Sequence, residues 1–92
     1  MPLSIPKEVL GWISNHSRKN YWRVASFYEV DDLIQDGIIK AYEVINRYGV
    51  PGLEIDRPHY MALVKTSFNN HIVDLLRKYT PEKISVVSLR SL

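Results

Sequence analysis

Apolar residues recur at helical spacing through residues 29–48. At about 100° per residue, Leu33, Ile34, Gly37, Ile38, Ala41, Val44, Ile45 and Tyr48 share one face. Asp32, Gln35, Asp36, Lys40, Glu43, Asn46 and Arg47 share the other, which predicts an amphipathic helix. Asp31 and Asp32 fall in its first turn, where carboxylates favour the positive end of the helix dipole. Asp32 and Gln35 have the spacing of a capping box, and Gly49 suits a left-handed stop. Gly37 lies mid-helix, at a cost of roughly 1 kcal/mol relative to Ala. With Ala41 one turn later, it predicts a close helix crossing. Ile39 interrupts the polar face among Asp32, Gln35, Asp36 and Glu43. A lone exposed Ile is ordinary, and the pattern alone favours that reading. An Ile ringed by acids and an amide also has the character of a contact point for a basic partner.

Helical pattern flanks this stretch on both sides. From about Lys7, Val9, Leu10, Ile13 and His16 share a side, with Trp12 at its edge. A second helical piece runs from Asn20 to about Phe27, so one bent helix or two short ones both fit. Trp12 and Trp22 read as core or half-buried residues. Residues 49–57 carry two glycines and a proline and predict a loop, with Leu53 and Ile55 folding part of it back on the core. Asp56 or Arg57 caps the next helix, with Pro58 in its first turn. That helix spans about 58–79. Its buried stripe is Met61, Val64, Phe68, Ile72, Leu75 and Tyr79, and Leu63, Thr66, Asn70, Val73 and Arg77 form an outer stripe. Amides, a hydroxyl and a guanidinium on one face can reach base edges and phosphates; a solvated back face is an equal reading. Thr80-Pro81 ends the helix.

The expected fold class is all-α: a small bundle of three or four helices forming one domain over residues 1–92, with 79–92 as a tail. Ninety-two residues lie near the lower limit for burying a useful core. With no cysteine, disulfides and thiolate–metal sites are excluded. No apolar run approaches the roughly 20 residues of a membrane span, so no membrane partner is expected. The formal charge of +2 is mild, but its distribution is uneven. Glu29, Asp31, Asp32 and Asp36 form an acidic cluster. Arg18, Lys19 and Arg23 precede it, and Arg77, Lys78, Lys83 and Arg90 follow it. A bipolar molecule offers one face to a basic protein and another to phosphates; a solvated surface of mixed sign is the plainer reading. Arg18-Lys19 beside Tyr21-Trp22-Arg23 mixes cations and aromatics in a way that suits single-stranded nucleic acid, or equally an interface.

Catalytic chemistry is not expected. His16, His59 and His71 show no helical metal spacing, and no His-Glu-x-x-His pattern occurs. His59 lies near Asp56 in sequence, and His71 near Asp74, without a third ligand or a nucleophile motif. No cofactor is expected.

Asp32-Leu33-Ile34-Gln35-Asp36-Gly37 resembles the Asp-Leu-Ile-Gln-Glu-Gly signature in conserved region 2 of bacterial RNA polymerase sigma factors. Pro58-His59-Tyr60-Met61-Ala62-Leu63-Val64 and Asn70-His71-Ile72-Val73-Asp74-Leu75-Leu76-Arg77-Lys78 resemble the next helix of that region. The form is most similar to the extracytoplasmic-function group and the late sigma factors of tailed phages. The resemblance covers roughly residues 29–79.

It implies a sigma-like transcription initiation subunit in a bacterial cytoplasm, with core RNA polymerase and the non-template strand of promoter DNA as partners. Asp32, Gln35, Asp36, Ile38 and Tyr42 match positions used against the clamp helices of the polymerase's largest subunit. The helix projection adds Ile39 and Glu43, and puts Ile38 inside, in conflict with that match. Residues 49–57, with Leu53 and Arg57, match by position the loop that holds a flipped promoter base. Asn69, Asn70, Val73 and Arg77 are placed near DNA, to which the outer stripe adds Thr66. Of the aromatics that family members carry on the strand-opening helix, Tyr60 and Phe68 remain, and Phe68 reads as buried. The helix-turn-helix domain for the upstream promoter element is absent, which implies an excised domain or a minimal subunit acting with a coactivator; a phage-encoded protein is the favoured source. Two rivals stand beside this: a polymerase inhibitor that mimics sigma, and an unrelated helical DNA-binding module.

Overall fold

The computed structural model describes residues 5–79. Three helices follow in order: α1 (Lys7–Val24), α2 (Val30–Tyr48) and α3 (Arg57–Tyr79). Among the described residues the only extended pairing is an isolated bridge between Pro51 and Ile55. Residues 80–92 of the expected tail, with the Thr80-Pro81 stop, lie outside the described residues. No described helix is long and apolar enough to cross a membrane.

α1 is one helix, continuous through Gly11, where an added Cβ would meet nothing within 4 Å. Its inner stripe is Val9, Ile13, Ser17 and Val24. Leu10 and Trp22 are not core residues as expected. Both are exposed, because the stripe that meets α2 and α3 is centred on Ile13 and turns them outward. Trp12 is half-buried, its ring stacked 4.5 Å from that of His16 and edge-on to Phe68 at 6.0 Å.

α2 buries Leu33, Gly37, Ala41, Val44 and Ile45, and half-buries Ile34 and Ile38. The expected capping box is not formed. The helix begins at Val30 with Glu29 as its cap residue, so Asp32 lies inside the first turn and no side chain caps the helix. Leu33 N–H donates to the Glu29 carbonyl at 3.1 Å instead. At the far end, Gly49 N–H donates to the Ile45 carbonyl at 2.9 Å, with φ 116°. A Cβ there would lie 2.6 Å from Glu54 Cβ, so the turn is open to glycine on two counts. Tyr48, expected in the core, is half-exposed; as the last helical residue it lines a groove between α2 and α3.

α3 opens on Asp56, whose Oδ2 accepts the His59 N–H at 3.1 Å, with Pro58 in the first turn. Its inner stripe is Tyr60, Val64, Phe68, Ile72 and Leu75. The stripe differs from the expected one at both ends. Tyr60 takes the place given to Met61, and Tyr79 is half-exposed, its ring stacked on Phe27 at 4.6 Å. Tyr60 is wholly buried because its hydroxyl has a partner inside: it donates to the Ala41 carbonyl at 3.0 Å.

The three helices meet at Gly37. A Cβ on it would lie 2.5 Å from Ile13 Cγ2 on α1 and 3.1 Å from the Phe68 ring on α3. The missing side chain lets α2 approach both neighbours at the same level.

Candidate functional site

The outer face of α2 is centred on Ile39, which is 47% exposed. Asp32, Gln35 and Glu43 are exposed around it, with Asp31 and Asn46 beyond, while Ile38 and Tyr42 are half-buried at the margin. Lys40 Nζ lies 3.2 Å from Glu43 Oε1, a surface pair of little energetic weight that still lowers the local negative charge. This geometry offers an apolar knob inside a ring of carboxylates and amides, a match for a basic surface with an apolar recess.

Asp36 does not belong to that ring. Its side chain is only 19% exposed. Its Oδ2 accepts from the Tyr28 hydroxyl, which precedes α2, and from His71 Nε2 of α3 at 2.8 Å. Asp36, expected to project from the polar face, is an internal tie, because α2 turns it away from the outer face toward α3. His71 pairs across helices with Asp36 rather than with Asp74. Only i±3 and i±4 neighbours are legible along a single helix, so sequence spacing carried no signal for this pairing or for Tyr28.

The second set of candidates lies at the other side of α2. Loop 49–56 is well tied: Gly52 N–H donates to the Ile55 carbonyl at 2.7 Å, and Glu54 Oε1 accepts the Val50 N–H at 2.9 Å. Ile55 packs on the core, whereas Leu53, expected to fold back with it, stands 85% exposed at the loop tip. Arg57 is exposed, its Nε 3.4 Å from where a Gly52 Cβ would lie, so its stem crosses the loop. On α3, Thr66, Asn70, Val73 and Arg77 are exposed on the outer face. Leu63, expected among them, is half-buried against the core.

Two members of this set are engaged elsewhere. Tyr60, expected among the DNA contacts, lies in the core with no ring surface exposed. Asn69 Oδ1 accepts from His16 Nε2 at 2.6 Å, joining α3 to α1. Between the helices, Glu43, Arg47, Tyr48, Leu63, Thr66 and Ser67 line an open groove of about 540 Å³. It brings together Glu43 and Thr66, which came from the two separate candidate sets. Among the described residues, no group of three or more His, Asp or Glu side chains is placed to hold a metal ion.

Burial, the hydrogen bond to Asp36 and the nearby carboxylates push the Tyr28 phenol well above the ordinary tyrosine range. Burial, and then the charge of Tyr42, push Tyr60 up to about 12. A raised acid pKa means that the folded state keeps a proton the unfolded state loses. This stability is complete below pH of about 10, the unfolded tyrosine value, and is lost as pH rises through the folded values. In a spectrophotometric titration of the six tyrosines, Tyr28 and Tyr60 are expected to ionise last, together with loss of helical circular dichroism. Ionisation of all six before any loss of helix would contradict the buried hydroxyls.

None of the protein-family models, curated proteins or solved structures compared with the chain matches it.

Proposed function

We propose that this chain is a sigma-like subunit of transcription initiation, docking through the outer face of α2 on the clamp helices of core RNA polymerase. In this reading, loop 49–57 and the outer face of α3 approach the non-template strand of the promoter. The observation that carries it is the way the Asp32–Gly37 motif divides. Leu33 and Gly37 serve the helix crossing, while Asp32 and Gln35 stand exposed with Ile39 in a face of mainly acidic and amide groups. The order of elements adds support: an acidic helix, a tied loop with an exposed Leu53, then a helix presenting Thr66, Asn70 and Arg77. The mechanism is binding rather than chemistry. Docking fixes the domain, unstacked bases find protein contacts that offset a few kcal/mol of unpairing, and cations on phosphate add salt-dependent affinity.

The test is capture by core polymerase followed by run-off transcription. Asp32→Lys combined with Ile39→Ala is expected to weaken capture at least about tenfold, since charge reversal puts like charges face to face and the apolar knob is lost. Circular dichroism should not change, because both side chains point to solvent. Capture unaffected by the double change would sink the docking surface.

A second reading is favoured by Tyr60 and Asn69, two DNA-side candidates that are occupied within the fold. A chain with an intact acidic face and a reduced DNA face suits a sigma mimic that occupies the clamp and blocks initiation. Run-off transcript from core enzyme plus this chain supports the subunit; loss of transcript in competition with a resident sigma factor supports the mimic.

A further inference from the structure

We infer that the outward face of α1 is a separate binding site for single-stranded nucleic acid, with Trp22 as the stacking platform and Arg18 and Lys19 as phosphate contacts. The two tryptophans of the chain have opposite fates. Trp12 is half-buried, stacked on His16, with Lys65 Nζ 5.7 Å from its ring centre. Trp22 is 77% exposed, and among the described residues no ring or cation covers it. An indole left largely in water adds little to this small core and leaves aromatic surface open to a planar ligand.

Its surroundings specify the ligand. Arg18 and Lys19 stand four and three residues earlier on α1, both exposed, so they share the face of the indole. Arg23 lies beside them, steadied by a 3.3 Å bond from its Nη1 to Asn20 Oδ1. From Val9 to Tyr28 the chain carries no acid, and the one acid of α1, Glu8, lies in its first turn at the opposite end from Trp22. One helical turn places Arg18 about 6 Å along the axis from Trp22, within the reach of one stretched nucleotide step. A basic helix face with one bare indole fits a flexible polyanion that carries flat faces. Single strands have both properties, whereas a duplex hides its base faces in the stack and offers only phosphate. The acidic face of α2 fits the opposite kind of partner, so this site stands or falls independently of the polymerase reading.

The test titrates the full chain with single-stranded oligothymidylate at low salt, reading tryptophan fluorescence and oligonucleotide anisotropy. Binding is expected to quench the fluorescence. Trp22→Ala should weaken it about 5- to 150-fold and abolish the quenching, and Trp22→Phe should restore most of the affinity. Arg18→Ala and Lys19→Ala should each reduce the salt slope by about 0.7. Oligonucleotide affinity unchanged by Trp22→Ala overturns the inference, as does a matching duplex bound with the same dependence on Trp22. If Trp22→Ala instead weakens capture by core polymerase while strand binding persists, the face belongs to a protein partner and the nucleic-acid site is refuted.

Discussion

Gly37→Leu is expected to lose about 3 kcal/mol of stability, the upper end of the overpacking range. The first added carbon already meets Ile13 Cγ2 at 2.5 Å and the Phe68 ring at 3.1 Å, and both neighbours are wholly buried. For a domain of this size, that loss lowers the melting temperature by roughly 12–24 °C. Gly37→Ala gains about 1 kcal/mol of helix propensity against the same first contact, so a smaller net loss is expected. Thermal melts followed by circular dichroism check both. A Leu variant melting at or above the parent would show that the helices do not cross at this residue.

The second large effect is at Asp36. Asp36→Lys removes the acceptor shared by Tyr28 and His71 and sets an ammonium beside an imidazole in a site with little access to water. Hydrogen bonds to a charged partner contribute roughly 1.5–3 kcal/mol, and a loss of that size is expected in urea unfolding. The Tyr28 phenol should also return toward the ordinary tyrosine range, because its bond to the carboxylate is gone. Asp32→Lys, four residues earlier on the exposed face, should leave stability unchanged and lower the Tyr28 phenol less, since it removes only a more distant charge and leaves the Asp36 bond in place. Equal stability of the two variants would mean that Asp36 is a surface acid after all. The contrast also bears on function. Weakened polymerase capture in Asp36→Lys reports on the fold, whereas the same loss in Asp32→Lys reports on the interface.

What the sequence determined by itself is local. Period and punctuation place α2 between Glu29 and Gly49, and α3 after Asp56, because the 3.6-residue repeat, an N-terminal acceptor and a positive-φ glycine act over one or two turns of chain. The close approach at Gly37 was legible for the same reason: a small residue at the centre of an apolar stripe has few other uses. The tertiary structure alone decided which face of α1 turns inward, and with it the opposite fates of Trp12 and Trp22. The stripe that packs is chosen by the neighbouring helices rather than by α1. It decided that Tyr60 enters the core in place of Met61, since a buried hydroxyl is tolerated only where a carbonyl such as that of Ala41 awaits it. It also decided that Asp36 is an internal acceptor. A carboxylate on a polar helix face reads as solvated until a hydroxyl from the preceding loop and an imidazole 35 residues away converge on it, and convergence over that separation is a property of the packed chain.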